Sequence, residues 1–151
     1  MAAAGTVASA DVDDALAEFQ GHLNLIFTKA RSLWKESAAR IHPDLQPAGY
    51  KLLASIARAG STNGHQLAEL FEMDKSVVSR QVRMLEELDL IESRPDENDG
   101  RLRVLTATPA ACAALADVRG DHAQRLRASI TGLTPAELRT ASKVFRLLAE
   151  A

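Results

Sequence analysis

With 151 residues, 46% of them hydrophobic and 25% charged, the chain is long enough for one ordinary domain and too apolar for wholesale disorder. Aromatics supply only 4% and alanine is abundant, which favours close-packed helices over an aromatic-rich β-sandwich or barrel. A formal net charge of −2 excludes a grip on nucleic acid through bulk basicity, so a polyanionic partner would have to be met by Lys and Arg gathered on one surface.

The first ten residues, Met1 to Ala10, are small and carry no basic side chain, so they read as a flexible tail (1–10) rather than a secretory signal. Apolar residues then recur at Val12, Leu16, Phe19, Leu23, Ile26, Ala30 and Leu33. Steps alternating between four and three predict a long helix with one apolar seam, widened by Phe27 and Trp34. Pro43 stops it. No apolar run approaches the ~20 residues of a bilayer span, so no membrane partner is expected. The single cysteine, Cys112, admits no intrachain disulfide, which fits a reducing cytoplasm.

A second helix is predicted from Pro47, whose missing N–H costs nothing in a first turn, to Gly60. After the turn Ser61-Thr62-Asn63-Gly64, Asn63 and Gln66 have capping-box spacing for a short third helix, from Gly64 to Phe71. Asp74 is placed to cap a fourth, from Lys75 to about Leu88. Leu90 to Arg94 and Arg101 to Thr106 read as extended segments around a polar tip, Pro95 to Gly100, which is a hairpin signal. Thr108-Pro109 restarts a helix carrying Leu115, Val118, His122, Leu126 and Ile130. Thr134-Pro135-Ala136-Glu137 combines an N-cap, proline at N1 and glutamate at N3. The last helix is expected to bury Leu138, Ala141, Phe145 and Leu148.

Two short helices, a third after a tight turn and then a hairpin is the order of a winged helix-turn-helix, in which the last helix of the trio enters the major groove. At ~100° per residue, Val77, Val78, Val82, Leu85 and Leu88 share one face of the fourth helix, while Ser76, Ser79, Arg80 and Arg83 take roughly the opposite one. Small hydroxyl residues permit close approach, and arginine can bridge the O6 and N7 of guanine or clamp a phosphate. The acids Glu86, Glu87 and Asp89 lie at the far end.

The stretch Val77-Val-Ser-Arg-Gln-Val-Arg-Met-Leu-Glu-Glu-Leu-Asp-Leu-Ile-Glu-Ser-Arg94 resembles the recognition helix and first wing strand of the MarR family of bacterial transcription regulators. Asp99-Gly-Arg-Leu-Arg-Val-Leu-Thr106 is similar to that family's wing tip and returning strand, and His65-Gln-Leu-Ala-Glu-Leu70 to its preceding helix. The resemblance implies a mainly α fold with a small β-hairpin: a winged helix-turn-helix at 46–107, with N- and C-terminal dimerisation helices at 11–45 and 108–151. It implies a homodimer that binds double-stranded DNA at a pseudo-palindromic operator, commonly as a repressor. Ser76, Ser79, Arg80 and Arg83 would meet the major groove and its phosphates, and Arg101 the adjacent minor groove. Arg94 and Arg103 complete the candidate contact set. Asp99 would orient Arg101 or Arg94 through an ion pair. Where many members have glycine near the end of the recognition helix, this chain has Asp89, a residue that tolerates positive φ.

Members of the family often release DNA when a small aromatic or phenolic compound binds. The candidate effector pocket is Phe27, Trp34, His42 and Tyr50, where the first two helices meet. Cys112 lies among alanines, where a small buried residue suffices, and needs no redox role. His65 and Glu69 have metal-compatible i, i+4 spacing without a third ligand, so no metal and no cofactor are expected. The chain shows no phosphate-binding glycine loop, nucleophile elbow or metal triad, and is not read as an enzyme. A winged-helix protein-interaction module without DNA binding is the alternative.

Overall fold

In the computed structural model, the backbone is described for residues 3–151 and the side chains for residues 8–151. Helix α1 (Ala3–Ile41) carries the anticipated seam but begins well ahead of Val12. Part of the expected tail, Met1 and Ala2, lies outside the described residues, and the remainder is helical. Alanine is the strongest helix former and no proline interrupts the segment, so the small residues that suggest fraying extend the helix instead. At the other end, His42 N–H still reaches Ala38 O at 3.0 Å, and Pro43 stops the ladder.

Helix α2 (Pro47–Ala59) starts with proline in its first turn and ends at Gly60, which adopts φ +78° and bonds back to Ala57 O. Helix α3 (Gly64–Phe71) is capped by Asn63, whose Oδ1 accepts from Gln66 N–H at 2.8 Å. The Gln66 side chain does not close the expected box in the usual way. Its Oε1 accepts from the Thr62 hydroxyl at 2.9 Å. After the left-handed Glu72 (φ +51°), helix α4 (Lys75–Glu87) begins. Asp74 occupies the N-cap position in an extended conformation, but its side chain makes no capping bond, contrary to the expectation from sequence. Past the end of α4, Asp89 takes φ +56°, the geometry foreseen for that position.

Strands β1 (Ile91–Pro95) and β2 (Arg103–Ala107) pair antiparallel, with Ser93 opposite Leu105. Both lie slightly later than the alternation suggested. Leu102 N–H bonds to Asp99 O at 3.0 Å, so the tip turn absorbs Arg101 and Leu102 from the expected returning strand. A further bridge ties Leu105 to Thr62, before α3. Helix α5 (Pro109–Ser129) follows Thr108, whose Oγ1 accepts from Ala111 N–H at 3.3 Å. Helix α6 (Pro135–Glu150) opens with a complete capping box: Thr134 Oγ1 accepts from Glu137 N–H at 3.2 Å, and Glu137 Oε2 accepts from Thr134 N–H at 2.8 Å.

The chain divides into two compact units, Met1–Leu115 and Ala116–Ala151. The core of the first is built from Ala38 of α1, Leu52, Leu53 and Ile56 of α2, Leu67 of α3, Val78 and Leu85 of α4, Ile91 and Leu105 of the hairpin, and Ala111 and Leu115 of α5. Each inward face of the helix-turn-helix is thus a strip of Leu, Ile and Val at helical spacing. The α2–α4 contact is close at Gly49, where a Cβ would stand 2.8 Å from Leu45 Cδ1 and 3.2 Å from Gln81 Oε1.

In the second unit, α6 buries no residue. Leu138, Phe145 and Leu148 are exposed and Ala141 is half-buried, so the described residues of this chain do not themselves supply the burial expected for these positions. An amphipathic pattern identifies an apolar face without identifying whose surface covers it. No helix of the described residues is long and apolar enough to cross a membrane.

Candidate nucleic-acid interface

Val78 and Leu85 fix the inner side of α4 in the core. Residues three, four and seven positions apart share a helix face, and one such set, Ser76, Ser79, Arg80 and Arg83, is uniformly exposed. Lys75, in the first turn, is exposed beside them. The sequence reading missed this cation, although its place directly after the N-cap was the available signal. Arg80 and Arg83 therefore project from a surface whose opposite side is locked by hydrophobic packing.

The wing is shaped by short-range carboxylate bonds. Asp96 Oδ1 accepts from Asn98 N–H at 2.7 Å and Asp99 N–H at 3.1 Å, and Asp99 Oδ1 accepts from Arg101 N–H at 3.0 Å. The predicted orienting role of Asp99 is thus directed at the Arg101 backbone, not at a guanidinium. Asx turns of this kind fix the chain two residues on. Arg101 is left exposed at the tip.

Between α4 and the wing lies an open cavity of about 350 Å³, with Val78, Val82, Leu102 and Leu105 among its apolar lining. Its polar margin includes Lys75, Ser79, Arg101 and Arg103, with Asn63 and His65 from the start of α3. His65 Nε2 stands 3.3 Å from Glu69 Oε1 along α3, and no cluster of three or more metal-ligating side chains occurs among the described residues. Glu86 also lines the cavity; this acid approaches the groove more closely than its position late in α4 suggested.

The structure therefore brings Ser79, Arg101 and Arg103 to one cavity, while Ser76, Arg80 and Arg83 are exposed on α4 beyond its lining. Arg94 is different. Successive side chains alternate across a strand, so Arg94 lies on the opposite face of the hairpin from Ser93 and from Arg103. Arg103 is held by Ser93: its Nε donates to Ser93 Oγ at 2.8 Å and its Nη2 to Ser93 O at 2.9 Å. Sequence spacing gave no sign of this bond.

The expected effector residues do not line this cavity. Phe27 is 56% exposed, Trp34 has Lys51 Nζ 3.8 Å above its ring, His42 Nδ1 accepts from Asp44 N–H at 3.0 Å, and Tyr50 packs on the core. Cys112 is exposed, which corrects its reading as a small buried residue.

An α2–α3–α4 trio followed by a hairpin that flanks the exposed face of α4 is a winged helix-turn-helix. The MarR family model matches residues 45–102, from before α2 to the wing tip, and this bears out the resemblance read from the residues. The uncharacterized HTH-type transcriptional regulator YxaD of Bacillus subtilis (strain 168) is 32% identical over 78 residues, 52% of this chain and 54% of that protein. The match thus spans about half the length of this curated relative. Among solved structures, a MarR family transcription regulator superposes with a TM-score of 0.83 at 19% identity, covering 95% of this chain and 93% of that one. A mutant MarR from E. coli complexed with operator DNA gives 0.66 at 21% identity, covering 89% and 96%. At these identities the likeness establishes the fold.

Proposed function

We propose that this protein is a cytoplasmic, sequence-specific DNA-binding transcription regulator that acts as a repressor and occupies a pseudo-palindromic operator as a homodimer. The observation that carries the reading is the exposed row Ser76, Ser79, Arg80 and Arg83 on α4, flanked by Arg101 at the wing tip. Hydroxyls at the start of the row allow close approach to the duplex, and the arginines supply base-edge and phosphate contacts. Local segregation of charge answers the difficulty posed by a net charge of −2. The solved relative bound to operator DNA supports the same use of the fold.

Release by a small aromatic or phenolic acid is part of the proposal, and the location we favour is the cavity between α4 and the wing. The cavity between α4 and the wing combines an apolar floor with Lys75, Arg101 and Arg103, which suits a compact apolar anion better than the surroundings of Trp34 and Tyr50. An occupant there would compete with DNA for Lys75 and Arg101.

The test is fluorescence anisotropy with the DNA that flanks the protein's own gene, a site regulators of this kind often control. Wild-type protein should bind with an affinity that falls steeply as salt rises, and a benzoate-class acid should displace the DNA. Replacing Arg80, Arg83 and Arg101 together by alanine should cost about 1–3 kcal/mol per specific contact while folding is retained. Undiminished DNA affinity in the triple variant would sink the reading in favour of a protein-interaction module.

A further inference from the structure

The hairpin ladder has a definite phase. Asp96 N–H bonds to Leu102 O and Thr108 N–H to Leu90 O, each at 3.0 Å. Hydrogen-bonded and non-hydrogen-bonded pairs alternate along an antiparallel ladder, so the Ser93–Leu105 pair between these points is a non-hydrogen-bonded one. Its backbone groups face away from the partner strand. For Leu105 they face Thr62: Leu105 N–H donates to Thr62 O at 2.8 Å and Thr62 N–H to Leu105 O at 3.1 Å. For Ser93 they face the outer edge of β1, where the sheet has no further strand among the described residues. The Arg103 guanidinium crosses the hairpin to that edge and takes both the carbonyl and the hydroxyl of Ser93, at 2.9 and 2.8 Å.

Two bonds from one planar guanidinium fix its orientation, a grip that a lysine ammonium cannot reproduce. An isolated two-stranded hairpin is marginal in water. The Thr62 bridge secures this one at Leu105, opposite Ser93, and beyond Arg103 the tip is held by the Asp96–Leu102 bond and the turn bonds of Asp96 and Asp99. Arg103 is two residues from Arg101, so the clasp sets where the tip stands relative to α4.

We propose that Arg103 is a positioning residue: by clasping Ser93 across the hairpin it holds Arg101 in place, and it does not contact DNA itself. The proposal rests on the DNA-binding reading above and removes one residue from its contact set.

The experiment measures DNA affinity as a function of salt for wild type, R101A, R103A, R103K, S93A and the R101A/R103A double variant, with thermal melts as folding controls. R103A should weaken binding on the order of tenfold with the wild-type salt slope, because Arg101 still engages the duplex and loses only its preorganisation. R101A should lower the slope by about 1. R103K keeps the charge but not the fork, and should behave as R103A does; S93A should show a smaller loss. In the R101A background, R103A should cost nothing more, whereas general destabilisation would add in both backgrounds. Wild-type affinity in R103K, a reduced slope in R103A, or additive losses would each overturn the proposal. A second readout needs no DNA: the Arg103 Nε–H proton should exchange slowly in the free protein and become fast in S93A. Rapid exchange in wild type overturns the clasp, whereas slow exchange in a protein that binds no DNA would instead defeat the functional reading on which it rests.

Discussion

A carboxylate two residues ahead of a backbone N–H can turn the chain through one short bond, and the wing tip uses this device repeatedly. Asp96 holds the N–H groups of Asn98 and Asp99, and Asp99 holds that of Arg101. This distinguishes a turn-forming Asp99 from one that pairs with a guanidinium. Asp99→Asn keeps a side-chain oxygen able to accept, so it should bind DNA within a few-fold of wild type. Asp99→Ala should lose about 1 kcal/mol of stability and bind DNA more weakly; urea denaturation and anisotropy read the two effects. Equal losses in the Asn and Ala variants would mean that the negative charge matters and the turn does not. The spacing of Asp99 and Arg101 was legible in the sequence, but the atom that Asp99 holds was not. Spacing reports neighbours along the chain, while the bond between Arg103 and Ser93 depends on strand phase and side-chain reach. Cys112 shows the same limit, because alanine-rich surroundings do not determine which side of a helix is covered.

At the scale of elements, punctuation was the most readable signal. Pro47, Asn63, Gly60 and the Thr134–Glu137 box all stand at the helix ends they were expected to mark, since each satisfies or omits a specific backbone bond. Extents were less readable: α1 runs further toward the N-terminus and the strands start later than hydrophobic pattern implied. The seating of α4 on α2 was not readable at all. It depends on Gly49, where the absence of a side chain lets Leu45 and Gln81 approach. Gln81 Oε1 is buried there without a hydrogen-bond partner among the described residues, so the contact is already under some cost. Gly49→Ala gains up to about 1 kcal/mol in helix propensity but forces a carbon to within 2.8 Å of Leu45 Cδ1. Overpacking costs of about 1–3 kcal/mol outweigh that gain, and the net expectation is destabilisation by about 1–2 kcal/mol. Because the second neighbour, Gln81 at 3.2 Å, is on α4, DNA affinity should fall as well. A more stable Gly49→Ala protein in urea unfolding would show that the core yields more easily than the close contact suggests.

At the scale of the whole molecule, the unspent apolar surface bears on assembly. Val12, Leu16 and Ile26 of α1 and Phe145 and Leu148 of α6 are all exposed within the single chain, although each belongs to a regular helical stripe. Scattered exposed apolar residues need no explanation, but rows of them along helices mark surfaces that meet a partner. A second copy is the occupant proposed here, and it would also supply the second recognition helix that a pseudo-palindromic operator requires. Each large side chain moved out of water contributes about 1.5–3 kcal/mol, so Leu16→Glu with Phe19→Glu should be enough to dissociate the pair. Sedimentation equilibrium should report a dimer for wild type and a monomer for the double variant. The melting temperature of wild type should rise with protein concentration, as it does when association is linked to folding, and that of the variant should not. Operator affinity should fall with dissociation even though every residue of α4 and the wing proposed to meet DNA is intact. A wild-type protein that stays monomeric at tens of micromolar, with a melting temperature independent of concentration, would remove the two-fold operator from the proposal. Contacts made by a single winged helix would then have to account for all of its specificity.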